Sequence, residues 1–314
     1  MPVYNLKPIF QERIWGGQNL KSLFGREIPA DKPIGESWEL SDRPEAQTVL
    51  VENGKTLHDL WADAANRKKI FGSAAPDSER FPILIKLLDA QDKLSLQVHP
   101  PAALAPKFKG EPKTEMWYFL ETTPTAEIYV GLKKGVDRKK FEQAIADKSV
   151  ADCFHVLKTS PGEAMFLPSG RVHAIGAGNV ILEIQQNSDT TFRVYDWDRV
   201  DAKGKPRDLH ISESLECINF NDFEPTFAQP HANRVVACQY FAVNKVFFDE
   251  PNQSDEWQTD GRSFHFLFVS QGKFKINGKE YPRGASLFVS AEPDTLTVES
   301  LENFGELVSV TWPE

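Results

Sequence analysis

The chain has 314 residues, 40% hydrophobic and 26% charged, and its three cysteines (Cys153, Cys217, Cys238) fall at no pairing or zinc-knuckle spacing. This composition supports more than one apolar core and excludes a disordered chain or a disulfide scaffold. Against 45 Asp and Glu stand 36 Lys and Arg, a net charge of −9, which argues against nucleic acid as a partner while leaving room for a local cationic pocket.

The first residues, MPVYNLKPIFQERIWGG, hold neither the basic cluster nor the apolar run of a secretory signal. No window approaches the ~18 apolar residues of a membrane span, so a cytoplasmic chain with no membrane attachment is expected. Leu60, Trp61 and Ala64 predict one helix over 57–70. Alternation in LSLQVHP (94–100) predicts a strand with Ser95, Gln97 and His99 on one face and Leu94, Leu96 and Val98 on the other. In KTEMWYFLE, Lys113 and Glu115 share a face, ordinarily a surface ion pair of little worth. AEIYVGL (126–132) reads as a strand. GVDRKKFEQAIAD (135–147) reads as a helix capped by Asp137, and SVADCFHVL (149–157) as a further short helix. EAMFLPSG (163–170) and VILEIQ (180–185) are strands, and between them a Pro-x-Gly-x-x-His turn projects His173 from a strand start.

The polar, proline-containing stretch NDFEPTFAQPHAN (221–233) places a domain boundary near residue 233. Beyond it, VVACQYFAV, SFHFLFVSQG (263–272) and KFKINGKEY (273–281) are strand signals, with Asn277-Gly278 predicting a type I′ hairpin turn. The fold class is therefore mainly β, a sandwich or barrel with a few short helices.

Singly, His99, Glu115 and His173 read as ordinary polar residues. Together they make a two-histidine, one-carboxylate set with Gln97 available as a neutral fourth ligand, a mix suited to Zn²⁺ or Fe²⁺. A divalent ion held this way keeps a formal charge of about +1 and remains a Lewis acid.

The blocks IGESWELS (34–41), FPILIKLLDAQDKLSLQVHPP (81–101), PKTEMWY (112–118) and LPSGRVHAIGAGNVILEIQQNSDTTFRVYDWDR (167–199) resemble, in order, those of the type I mannose-6-phosphate isomerases, a branch of the cupins. The likeness is strongest to the short bacterial form. It implies two cupin-like β-barrel (jelly-roll) domains: a catalytic, metal-binding unit over 1–233 and a metal-free unit over 234–314. It implies one Zn²⁺ per chain on Gln97, His99, Glu115 and His173, and interconversion of D-mannose 6-phosphate and D-fructose 6-phosphate by proton transfer through a cis-enediol. By the same resemblance Arg193, Lys113 and Asp189 are catalytic, Lys86 and Ser95 line the phosphate end, and Trp15 and Glu36 line the sugar cavity. The expected partner is a small phosphosugar, and the expected assembly a monomer or weak homodimer. The competing expectations are a sugar-phosphate isomerase of other specificity and a non-catalytic cupin that binds sugar or regulates. The complete Lys113, Asp189 and Arg193 set disfavours the latter.

Overall fold

Runs such as ILIKLLDA, apolar at nearly every position, need cover on both faces of a sheet. That cover is present in the computed structural model of the protein, which describes residues 2–200 and 204–313. Apart from a two-stranded ribbon of Asp42–Arg43 with Ala46–Gln47, the strands form two pairs of facing antiparallel sheets, and none of the sheets closes on itself among the described residues.

The first pair joins a six-stranded and a five-stranded sheet. The six strands run in the order Ala164–Leu167, Glu115–Thr122, Asn179–Gln186, Ile83–Ala90, Ile34–Leu40, Ile9–Gly17. The five run Phe154–Lys158, Glu127–Leu132, His173–Ile175, Leu96–Val98, Phe192–Tyr195. Between them lies a core of Trp15, Leu88, Trp117, Phe119, Ile181, Ile128, Val130 and Ile175. The outer face of the five-stranded sheet is covered by helices Arg138–Ala146 and Ile211–Cys217, through Phe141, Ala144 and Cys217.

The second pair joins a seven-stranded sheet, centred on Gly305–Thr311 and His265–Gln271, to a four-stranded one around Asp294–Ser300 and Phe274–Ile276. Two of the seven strands come from the start of the chain. Val3, Tyr4 and Asn5 pair with Val289, Phe288 and Leu287, while Leu6 and Lys7 pair with Leu50 and Val49. Residues after 233 therefore do not complete their own sheet.

The backs of the six- and seven-stranded sheets meet in one continuous core. Ile83, Ile85, Leu87, Met116, Leu182 and Ile184 of the former pack in a cluster with Val243, Phe266, Phe268, Phe288, Val308 and Val310 of the latter. Each such side chain, fully buried, contributes roughly 1.5–3 kcal/mol relative to exposure. At one end of this core Trp61, Phe71 and Phe81 pack edge to face or tilted against Phe264 and Trp312.

The Asp137 cap is present, its carboxylate accepting from Lys140 N at 2.8 Å. Asn277 and Gly278 turn the hairpin with φ of 47° and 79°. Two helices differ from expectation. The stretch 57–70 divides into Leu57–Ala62 and Arg67–Phe71, because Asp63 leaves the helical region at ψ 85° and its carboxylate binds the Asn66 side chain at 2.8 Å, leaving Ala64 exposed. In 149–157 only Val150–Cys153 coils, as a 3₁₀ turn; Phe154–Lys158 pairs instead with the strand Glu127–Leu132.

Candidate active site

Alternation along four strands aims polar side chains into the space between the six- and five-stranded sheets. In Asn179–Gln186, Val180, Leu182 and Ile184 face the shared core, which leaves Glu183 and Gln185 on the opposite face with Ile181. The same rule places Lys86 beside Leu88 and Glu115 beside Trp117. From the other sheet, Leu96 and Val98 face outward while Gln97 stands directly opposite both His173 and Arg193. Leu94 departs from the expected pattern: regular strand begins only at Leu96, and Leu94 lines the cleft beside Ser95.

His173 arrives through the expected turn. Gly170 adopts φ 90°, a conformation glycine takes without strain, and its N–H donates to His99 O at 2.9 Å, tying the two histidine segments together. Arg171 then forks onto Asp222 with two contacts of 2.8 Å. His99 Nδ1 contacts Thr190 O at 2.9 Å and His173 Nδ1 contacts Arg171 O at 2.9 Å. A carbonyl can only accept, so both Nδ1 atoms carry the proton and both Nε2 atoms present lone pairs. Those lone pairs face Glu115, His99 Nε2 at 3.4 Å from Oε2 and His173 Nε2 at 3.4 Å from Oε1.

One ligand atom from each of His99, Glu115 and His173 lies within 4.8 Å of the others, and all three residues are buried. His99 Nε2 and Glu115 Oε1 have no hydrogen-bond partner, and Glu115 Oε2 lies 3.0 Å from the Lys113 ammonium. Burial, then the nearby Lys113 charge, lowers the His99 pKa to about 3, and burial lowers that of His173, so both rings stay neutral. Three buried lone-pair donors converging without a proton between them suit a cation. Gln97 reaches His173 Nε2 with its amide nitrogen at 3.3 Å, while its oxygen accepts from Ser95 at 3.2 Å. To serve as a fourth ligand the amide turns over, a rotation that exchanges O and N.

Adjoining this cluster is a cleft of about 280 Å³. It is lined by Trp15, Glu36, Lys86, Ser95, Gln97, Lys113, Asp189 and Arg193, the sequence-derived residues other than the buried triad. Lys113, far from being a surface residue, is 4% exposed, with Nζ 3.0 Å from Glu115. Burial alone would lower its pKa, but Glu115 and Glu183 outweigh that and raise it, keeping the ammonium charged. Lys86 sits 3.7 Å from Glu183 and 4.0 Å from Glu36, with Nζ over the Trp38 ring. Burial alone would raise the Glu36 carboxyl, yet Lys86 and Arg13 hold it at about 2. Asp189 is exposed at the cleft wall. His210 Nδ1 accepts from the backbone N–H of Arg193 at 3.3 Å.

Sequence reasoning missed six lining residues, the apolar Leu88 and Leu94 and the polar Arg13, Glu183, Thr191 and Arg207. Glu183 is the most consequential. It accepts from Trp117 Nε1 at 2.9 Å, and burial, followed by the Glu115 charge, pushes its carboxyl up to about 7. Its signal was present in VILEIQQ, where an acid shares a face with Gln185 in an otherwise apolar strand.

Comparison with known proteins agrees with this geometry. The family described as phosphomannose isomerase type I, catalytic domain, matches residues 3–119. A probable mannose-6-phosphate isomerase of Bacillus subtilis, GmuF, is 36% identical over 95% of this chain and 96% of its own length. The mannose-6-phosphate isomerase of Streptococcus mutans is 40% identical over 88% of each chain. The crystal structure of mannose 6-phosphate isomerase from Bacillus subtilis superposes with a TM-score of 0.86 at 29% identity, covering 99% of both chains. With relatives of this identity along nearly its whole length, the chain belongs to the type I mannose-6-phosphate isomerase family.

Proposed function

We propose that the protein interconverts D-mannose 6-phosphate and D-fructose 6-phosphate. The observation that carries this reading is the buried His99, Glu115 and His173 cluster opening onto a cleft with five cationic side chains, in a chain whose relatives bear that name. Those three residues and Gln97 would hold one Zn²⁺ per chain, which would supply Lewis-acid polarisation of a substrate oxygen when bound.

The remaining work falls to the chain. Isomerisation through a cis-enediol moves a proton between C1 and C2 and develops charge on O1 and O2. Lys113, kept charged by Glu115 and Glu183, donates hydrogen bonds to that charge, with Arg193 as the second cation. Asp189 is a proton carrier at the wall. Glu183, with a carboxyl near neutrality, can hold or release a proton at the pH where the enzyme works. Trp15 and Glu36 line the sugar cavity, and Lys86 and Ser95 line its phosphate end.

The facing sheets around the cluster support a cupin jelly-roll description, with a catalytic unit over 1–233 and a metal-free unit over 234–314. No helix among the described residues is long and apolar enough to cross a membrane. We place the protein in the cytoplasm as a monomer or weak homodimer.

The test is a coupled assay of fructose 6-phosphate formation before and after chelation, and with Zn²⁺ restored. Activity lost and regained supports the reading. A folded, zinc-loaded protein without turnover overturns it in favour of a sugar-binding module.

A further inference from the structure

Three neighbouring strands of the seven-stranded sheet, Ala242–Phe248, Gly305–Thr311 and His265–Gln271, send one face into the core shared with the six-stranded sheet. Val243 on the first, Val308 and Val310 on the second, and Phe266 and Phe268 on the third are members of that core. At one common edge all three strands change character along the same face. Alternation carries the first on to Lys245 and Phe247, the second to Glu306 and the third to Ser270. Phe247 stands opposite Glu306, and Glu306 opposite Gln271 across a bulge, a feature that re-aims side chains.

At this edge the core gives way to a cavity of about 460 Å³, bounded on its other side by Tyr118 and the turn at 161–163. Tyr118 points away from Glu115 and Trp117 on its own strand, and the cavity shares no lining residue with the catalytic cleft.

Glu306 is only 5% exposed. Tyr118 OH and Ser270 Oγ donate to its Oε1 at 2.7 and 2.6 Å, which fixes the carboxylate, while Oε2 accepts nothing from the described residues. A buried carboxylate oxygen left in this way favours a ligand that donates to it. Lys245 lines the same cavity and pairs with no carboxylate among the described residues. Its Nζ donates to Gly162 O at 3.2 Å and lies over the Tyr118 and Phe247 rings, 5.5 and 5.0 Å from their centroids. An ammonium carries three donors, so two remain. At the rim Phe247 and Phe304 are 45% and 52% exposed, their ring centroids 6.0 Å apart. Exposed aromatic rings beside a few convergent polar groups mark a ligand site.

The occupant must donate to Glu306, accept from Lys245 and offer an apolar face to the rings. Charge narrows the class. Lys245 already takes the aromatic faces that an organic cation would seek. Glu306 and Glu163 set two carboxylates against its one ammonium, which disfavours an anion. A neutral pyranose meets all three demands, because its hydroxyls both donate and accept and its ring presents a C–H face.

We propose that this cavity is a second ligand site, separate from the catalytic cleft, that binds the pyranose ring of a neutral sugar between Glu306, Lys245 and the Phe247–Phe304 pair. The experiment titrates methyl α-D-mannopyranoside and methyl β-D-glucopyranoside, whose locked rings cannot be isomerised, into the full chain and follows binding by ligand-observed NMR. The same titrations are made with Phe304→Ala, Phe247→Ala and Glu306→Gln. Both phenylalanines are exposed, so their variants keep the fold even if Glu306→Gln, which alters a buried hydrogen-bonded group, does not.

At least one glycoside is expected to bind saturably in the millimolar range. Phe304→Ala should weaken it by about two- to tenfold, and Glu306→Gln by about tenfold or more. No saturable binding of either glycoside overturns the proposal, as does binding that both phenylalanine variants leave unchanged, which would put the sugar elsewhere. L-phenylalanine binding that depends on Phe304, with neither glycoside bound, refutes the sugar and assigns the cavity to a zwitterionic amino acid.

Discussion

Replacing Trp312 by alanine tests whether the two sheet pairs unfold as one body. Trp312 is 3% exposed and reaches across to the first part of the chain, its ring 5.4 Å from Phe81 and 6.2 Å from Trp61, besides 4.8 Å from Phe264. Truncating so buried an aromatic costs about 3–5 kcal/mol. The lost indole hydrogen bond to Phe71 O adds little, because that carbonyl also accepts from Phe264 N at 3.1 Å. Unfolding entropy of roughly 2.1 cal/mol/K per residue gives about 0.66 kcal/mol/K for the whole chain. If everything melts together, Tm falls by about 5–8 °C. Were residues 234–314 to melt alone, their entropy would be about 0.17 kcal/mol/K and the same loss would shift a separate transition by roughly 18–30 °C. Differential scanning calorimetry is expected to show a single transition lowered by the smaller amount. Trp312→Phe, which keeps one six-membered ring and loses the pyrrole ring with its N–H, should move it by clearly less than Trp312→Ala. A separate low transition that carries the whole shift, or equal effects of the two substitutions, would refute the shared-core argument.

His99→Ala and His173→Ala are each expected to fold yet retain little bound zinc by elemental analysis and to lose turnover; folded variants that keep both would mean the cluster is not the metal site. Deleting residues 234–314 uncovers the core face around Ile85, Leu182 and Ile184, so the fragment should be insoluble, and a soluble, active 1–233 fragment would contradict this. Burial lowers the His265 pKa to about 4, against an unfolded value of about 6.5. The fold thus favours the neutral ring. Its contribution is complete above pH ~6.5 and lost as pH falls toward 4. Urea midpoints of the parent chain should fall relative to His265→Gln across that window; parallel curves would dismiss the effect.

Much of the site was legible because strand alternation is a local rule. LSLQVHP, KTEMWYF and the turn before His173 each deliver a side chain to the expected face. Where the strand is shorter than the pattern, the rule misplaces a residue, as at Leu94. Arg207 had no such signal. It comes to the cleft from beyond the strand Phe192–Tyr195, and its anchor Asp196 shares no periodicity with it. The junction of the sheet pairs was equally hidden: Phe266, Phe268 and Phe288 announce burial, but nothing local says that Ile83, Ile85 and Leu87 are what buries them. The break at Asp63 was lost because one short-range carboxylate contact outweighed a helical pattern.

The pairing of Val3, Tyr4 and Asn5 with Val289, Phe288 and Leu287 has a consequence for synthesis of the chain. When residues 3–5 leave the ribosome, their partners are roughly 280 residues from being made, an interval of about 14–56 s at ~5–20 residues/s. Leu6 and Lys7 find Leu50 and Val49 far sooner. The growing polypeptide thus carries a half-paired strand, with unmatched amides that invite wrong partners, until the segment around residue 288 arrives to occupy it. Bringing those distant segments together spans a long loop and is slow. Every residue that lines the cleft, Arg207 the last of them, is made before residue 288 is.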